Sequence, residues 1–176
     1  MASYCSRCGG PIRQGIPDGD DRQRDICQDC GEIHYVNPKI VVGAVCEHGD
    51  RLLLCRRAIE PRTGYWTIPA GYMEIGETAE QGAIREAWEE ARARIEITGL
   101  IASYSVIRPP QVQLLYRAVL LDAQVAAGPE SLEVGLFTWD TVPWEELAFT
   151  TVRWVLERAL ELRDHEGDLI TVGNPA

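Results

Sequence analysis

The chain lacks any apolar run approaching the eighteen residues that a membrane-spanning helix needs. Its start, MASYCSRCGG, has no basic segment followed by an apolar one, so it does not read as a secretory signal. No internal repeat and no low-complexity block is visible. Positive charge is scarce as well: 17 Lys and Arg stand against 27 Asp and Glu, a formal net charge of −10. That balance argues against a dedicated binder of nucleic acid or anionic membranes. It also means that a phosphate-bearing ligand would need local help from arginine or metal ions. These absences leave the cytoplasm as the expected location, where six cysteines serve better as metal ligands or core residues than as disulfides.

What is present is a composition 45% hydrophobic and 25% charged, that of a globular domain able to bury a core without staples. Residues 1–38 are rich in Gly, Asp, Arg and Cys and poor in large aliphatics. From Lys39 the text changes to KIVVGAVCE and RLLLCRR, two strands around a turn at Gly49. Three segments are predicted as domains: 1–38, 39–163 and a polar tail, 164–176. Further strands are predicted over 96–106, 112–122 and 133–140, and helices over 143–147 and 151–163. In the last helix Val152, Val155, Leu156 and Ala159 share a face. Strands interleaved with helices imply an α/β fold with a mixed sheet.

Cys5 and Cys8 form CSRC, and Cys27 and Cys30 form CQDC, with eighteen residues between the pairs. Four thiolates at this spacing fit a structural Zn²⁺ site, and Gly9 and Gly31 follow the knuckles where a left-handed turn is expected. A redox pair or two disulfides are the competing readings. So small and apolar-poor a segment would depend on the metal to fold. His34 is left outside the closed set. With four Arg against six acids, residues 1–38 net −2, a poor footprint for a nucleic-acid finger. Cys46 and Cys55 sit in apolar strand patterns and are expected in the core.

The segment GYMEIGETAEQGAIREAWEEARA, residues 71–93, holds six glutamates. Thr78 and Gln81 form a capping-box pattern that starts a helix near Ala79. On that helix Glu86, Glu89 and Glu90 fall within one 100° arc, beside Ala79, Gly82 and Ala83. Ile84, Trp88, Ala91 and Ile95 lie opposite and are expected to be the packing face. Carboxylates ~5.5 Å apart in a cleft repel by roughly 3 kcal/mol at an effective dielectric near 20. Hard divalent cations, Mg²⁺ or Mn²⁺, would offset that repulsion and in turn hold phosphate oxygens. A solvated surface is the bland alternative, but such faces usually mix Lys with Glu and this one has none.

The spacing of Gly71, Glu77, Arg85, Glu86, Glu89 and Glu90 resembles the signature of the Nudix hydrolases, with Ala87 at an aliphatic position. CGEIHYVNPKIVVGAV, LLLCRRAIEPRTGYWTIPAGYME and the PESLEV segment extend the likeness to a subgroup bearing an N-terminal zinc ribbon, similar to enzymes of FAD and ADP-ribose. The resemblance implies a Nudix α/β/α sandwich with a mixed sheet behind a zinc ribbon. It implies an enzyme, a metal-dependent pyrophosphohydrolase that opens the pyrophosphate bond of a nucleoside diphosphate derivative, FAD or ADP-ribose first. NAD(H), nucleoside triphosphates and capped RNA are the alternative substrates, and a Nudix-fold regulator is the non-enzyme alternative. The motif that follows the box in NADH pyrophosphatases is missing here.

By position, the resemblance places Mg²⁺ or Mn²⁺ at Glu86, Glu89, Glu90 and the carbonyl of Gly71, with Glu86 the candidate base. Arg85 would orient a glutamate and Glu77 would brace loop against helix. A further acidic ligand is expected downstream, at Glu130 or, preferred, Glu133. Arg56, Arg57 and Arg62 are the candidate phosphate contacts, and Tyr65, Trp66, Tyr104 and Tyr116 could stack on a base. Where the family has a helix-ending glycine this chain has Arg92, so the helix is expected to end differently or run longer. The expected partner is a small nucleotide, with no membrane; dimers are common among similar enzymes, so a homodimer is the assembly implied.

Overall fold

The computed structural model describes residues 3–163 and 171–173. The chain divides into two compact units, Met1–Asn37 and Pro38–Ala176. In the first, β1 (Ile12–Gly15), β2 (Arg24–Cys27) and β3 (Ile33–His34) form an antiparallel sheet in that order. Its buried side chains are few, chiefly Cys5, Ile26 and Cys27. Such a core is too small to hold three short strands by burial alone.

In the second unit the strands are β4 (Lys39–His48), β5 (Arg51–Arg57), β6 (Trp66–Thr67), β7 (Ala70–Tyr72), β8 (Ile95–Val106), β9 (Gln111–Leu120), β10 (Ser131–Thr138) and β11 (Thr171–Gly173). They build a mixed sheet in the order β10-β5-β4-β9-β8-β11, with β6 added to β5 and β7 to β4. The β4–β9 and β8–β11 pairs are parallel and the rest antiparallel. Of the expected tail 164–176, only 171–173 fall within the described residues, and they extend the sheet as β11.

Helix α1 (Ala79–Ala91) covers one face of this sheet and α2 (Thr150–Glu161) the other. The period-2 alternation of the strands divides the core accordingly. Val42, Ala44, Cys46, Leu53 and Cys55 pack on the α1 side, whereas Val45, Leu52 and Leu54 pack on the α2 side. Being buried on both faces, β4 reads as a nearly unbroken apolar run. On α2 the expected Val152, Val155, Leu156 and Ala159 are the buried residues. Residues 144–146 form a single turn of 3₁₀-helix rather than a longer helix.

Packing on α1 overturns half of the expectation: Ala91 and Ile95 are buried as expected, but Ile84 and Trp88 are not. The buried face consists of Gly82, Ala83, Glu86, Ala87, Glu90 and Ala91, while Ile84 and Trp88 are 40% and 49% exposed. Bulk, rather than hydrophobicity, decides this. A side of Gly and Ala lets the helix lie close against β4, where Ile and Trp would hold it off. The two glutamates of that face are thereby carried beneath the helix to the sheet.

Candidate active site

Thr78 caps α1 as predicted. Its hydroxyl accepts from the Gln81 N–H at 3.2 Å, and the Thr78 N–H donates to Gln81 Oε1 at 2.8 Å. The other end stops on schedule: Arg92 takes the left-handed conformation, φ 51°, that the family's glycine would supply. Its N–H donates to Trp88 O at 2.9 Å, and the Ala93 N–H to Ala87 O at 3.1 Å. The helix therefore runs no longer for lacking the glycine. The guanidinium lies 5.7 Å over the Trp88 ring and bonds Trp88 O, which offsets part of the strain.

Arg85 gathers the acidic side chains. It donates two bonds to Glu77, at 2.8 and 3.0 Å, one to Glu86 Oε1 at 2.7 Å and one to Glu89 Oε2 at 2.9 Å. A further bond, to Tyr72 O at 3.0 Å, fixes it to the glycine loop. Glu77 also accepts from the Glu74 N–H at 2.7 Å, and the guanidinium, with that amide, holds its carboxyl down to about 2. A Cβ on Gly82 would sit 2.7 Å from Glu77 Oε1 and 2.8 Å from Val42. The mid-helix glycine thus makes room for the bracing carboxylate and for the sheet, where the sequence suggested clearance for a ligand.

Gly71, in β7, lies directly beneath Glu86. A Cβ there would meet the Glu86 carboxylate at 2.4–2.5 Å, so only glycine permits the approach. Glu86 is 8% exposed, and burial raises its pKa despite Arg85. Glu90 is 7% exposed, and its Oε2 is buried with no hydrogen-bond partner. Burial, then the neighbouring Glu86 charge, push the Glu90 carboxyl up to about 8 against the pull of Arg57 and the Ala70 amide. Glu89 is the exposed member of the three, turned to Arg85.

Glu133 is not brought to this cluster. It stands opposite Arg56 across the β10–β5 pair and contacts Nη1 at 3.4 Å. Its neighbours Val134 and Cys55 pack on the α1 side, so alternation puts Glu133 and Arg56 on the α2 side. Glu130, the less favoured candidate, instead adds its negative charge to both Glu86 and Glu90. The bulge between Ser131 and Glu133 lies where the strand begins, and single-sequence spacing cannot assign a face across it.

The three arginines also separate. Arg57 bonds Pro61 O at 2.8 Å and lies close enough to Glu90 to favour its charged form. Arg56 is tied to Gly64 O at 2.9 Å, and Arg62, with φ 67°, stacks over Tyr65 at 5.3 Å. Trp66, Tyr104 and Tyr116 are buried in the two cores, and Tyr65 is left partly exposed.

In the amino-terminal unit the four cysteines converge. Cys5 and Cys30 sulfurs lie 3.8 Å apart and those of Cys8 and Cys27 3.4 Å, near the ~3.8 Å edge of a tetrahedron with 2.3 Å metal–sulfur bonds. Among the described residues they are the one group of three or more whose ligand atoms all lie within 4.8 Å. The Cys30 amide draws the Cys27 thiol down to about 7, and Gly9 and Gly31 take the left-handed turns expected of knuckles. His34 stays outside the set, and Cys46 and Cys55 are buried in the sheet.

A mixed sheet between two helices, with one glutamate of α1 lowered onto the glycine of a short strand that pairs with β4, defines an α/β/α sandwich that carries a carboxylate cluster. The NUDIX domain model matches residues 37–162, and the Nudix N-terminal zinc-ribbon model matches 3–36. The chain belongs to the Nudix family. A Nudix hydrolase from Nitrosomonas europaea is 46% identical and superposes with a TM-score of 0.93, covering 99% of this chain and 100% of that one. The NAD-capped RNA hydrolase NudC of Edwardsiella ictaluri is 27% identical over 162 residues, 90% of this chain. This chain spans only 60% of that relative's length. An ADP-ribose pyrophosphatase of Methanocaldococcus jannaschii is 29% identical over 119 residues, 65% of this chain and 69% of that one. Among the described residues no helix is long and apolar enough to cross a membrane.

Proposed function

We propose that the chain is a divalent-metal-dependent pyrophosphohydrolase acting on a nucleoside diphosphate derivative, with ADP-ribose and FAD the leading substrates. One observation carries the reading: Glu90 buries an unpartnered carboxylate oxygen beside Glu86, whose own carboxylate closes on Gly71. Uncompensated, a buried charge of this kind is strongly disfavoured. An all-oxygen donor set fits Mg²⁺ or Mn²⁺ better than softer metals. Such a cation, when bound, would neutralise charge developing on the phosphoryl oxygens and make water a better nucleophile.

The chain's own residues do the rest. Glu86 and Glu90 offer oxygens from the buried side, and the Gly71 carbonyl is proposed as a further donor. Glu89 joins them by leaving Arg85, a rotation its exposed position permits. Arg85 and Glu77 fix the helix to the loop, and Glu86, with its pKa raised by burial, can take the proton of the attacking water. Arg57, whose charge reaches Glu90, is proposed as the arginine that meets a phosphate. Glu130 replaces Glu133 as the downstream acid. In the amino-terminal unit the four sulfurs suit a structural Zn²⁺.

ADP-ribose is favoured by the pyrophosphatase relative, whose name carries that substrate. Similarity to NudC over 90% of this chain supports a second reading, hydrolysis of NAD-type pyrophosphates. A panel measuring AMP release from ADP-ribose, FAD, NADH and diadenosine polyphosphates with Mg²⁺ or Mn²⁺ separates them. Glu89→Gln should abolish most turnover on whichever substrate is cleaved, with the circular dichroism spectrum unchanged. Full activity in that variant would refute the carboxylate site.

A further inference from the structure

Between β9 and β10 the chain passes across the carbonyl end of α1 and bonds to it. The Ala126 N–H donates to Ala91 O at 2.9 Å, and the Gly128 N–H donates to Glu90 O at 2.9 Å. At Gly128 the fit allows no side chain: a Cβ would lie 1.7 Å from Glu89 O and 2.8 Å from its carbonyl carbon. The obstacle is backbone, which cannot swing aside. Its φ lies outside the left-handed range, so space alone demands glycine here. On the far side, the Ser131 N–H bonds Gly128 O at 3.1 Å and the Ala58 N–H bonds Glu130 O at 2.8 Å. The segment is thus pinned at three points, one of them on the backbone of a carboxylate residue, and closed on itself by the Ser131–Gly128 bond.

We propose that residues 126–131 form a strap in which Gly128 is a positioning residue, seating Glu130 against the Glu86/Glu90 pair by clamping onto the last turn of α1. This rests on the metal-site reading above and adds to it how the fourth carboxylate is placed. The helix supplies Glu86, Glu89 and Glu90 in one rigid array. Glu130 arrives from a different part of the chain, and among the described residues its side chain makes no hydrogen bond or ion pair to that array. The backbone bonds at Ala91 and Glu90 supply the tie, so the geometry of the fourth carboxylate is measured from the helix that carries the other three.

The consequence is coupling. Displacing the strap and removing the Glu130 charge should cost the same thing, so the two changes should not add. Mn²⁺ alone is the probe, titrated into the full, zinc-loaded chain and followed by the electron paramagnetic resonance of the free ion. Glu86→Gln reports on the site itself, and Glu130→Gln on the fourth carboxylate. Gly128→Ala tests the strap, and Ala126→Pro tests it again by replacing the N–H that bonds Ala91 O with a ring carbon, which removes that tie at a second point. Loss of a positioning contact weakens metal binding by about 10–100-fold.

Glu130→Gln, Gly128→Ala and Ala126→Pro should each weaken Mn²⁺ binding by about tenfold or more, and Gly128→Ala/Glu130→Gln no further than the weaker-binding single variant. Wild-type affinity in the strap variants, or in Glu130→Gln, overturns the proposal while the site survives. A double variant weakened by the product of the two factors also overturns it, because Gly128 would then act on the helix rather than through Glu130. Equal Mn²⁺ binding by wild type and Glu86→Gln would remove the metal site and the strap's role together. If Gly128→Ala does not fold, Ala126→Pro decides between the same outcomes.

Discussion

Burying Glu90 makes the stability of the protein depend on pH in a direction opposite to that of an ordinary salt-bridged carboxylate. Its pKa stands at about 8 in the folded chain against a reference of 4.5. Between those values the folded state holds a proton that the unfolded state has lost, so stability falls as pH rises. The contribution is fully present below about pH 4.5 and gone above about 8, and the total is about 5 kcal/mol at 1.36 kcal/mol per unit. Between pH 5.5 and 7.0 this one group should remove about 2 kcal/mol. Glu86 from the same helix, Glu130 from the strap, Arg57 from β5 and the Ala70 amide all face it, and each is common to wild type and a Glu90→Gln variant. The difference between the two therefore reports Glu90 together with its coupling to Glu86. All five tryptophans lie after residue 38, so fluorescence-monitored urea unfolding reports on the carboxylate-bearing unit. With no divalent cation added, the wild type should lose stability from pH 5.5 to 8.5 relative to Glu90→Gln at an unchanged m value. Adding Mn²⁺ should flatten the wild-type slope and leave the variant's as it was, because the cation binds the deprotonated group. Parallel stability profiles for the two proteins would refute the buried, unpartnered carboxylate.

Gly71→Ala should force the Glu86 carboxylate aside and lower turnover by roughly tenfold or more with the fold intact; retained activity would show that the close approach is dispensable. Arg92→Gly should raise stability by roughly 0.5–1 kcal/mol, the left-handed strain relieved less the exposed stacking lost, and leave activity alone. A neutral or negative result in urea unfolding would mean that the Trp88 contact outweighs the strain. Glu133→Gln should change turnover by less than twofold and stability by less than about 0.5 kcal/mol, whereas Glu130→Gln should impair catalysis. The reverse ranking would return Glu133 to the site. Stripping the metal from the reduced amino-terminal unit should open the backbone at Arg13 and Arg24, held in β1 and β2, to trypsin, since its few buried residues cannot hold it folded. Unchanged digestion would sink the dependence on zinc.

The features legible in the sequence were those set by local or repeated rules. The Thr78–Gln81 capping box, the two cysteine knuckles and the apolar strands each need only residue type and spacing, and each stands where expected. The errors fell where space, rather than polarity, decides. Ile84 and Trp88 score as a packing face on any hydrophobic scale, yet the helix is seated by its Gly and Ala side. The same inversion explains the site. Had the large residues packed inward, Glu86 and Glu90 would have faced water, where their repulsion is small and their pKa values ordinary. Seating the helix on its small residues lowers Glu86 against Gly71 and takes both carboxylates out of solvent. The charge crowding visible in the sequence therefore becomes costly only through a packing choice that the sequence pattern argued against. Glu130 follows the same logic, since its place depends on Gly128 passing within contact of the Glu89 carbonyl. A glycine before a proline reads as a turn. Only the position of the helix beneath it shows that a side chain there would collide with the Glu89 carbonyl.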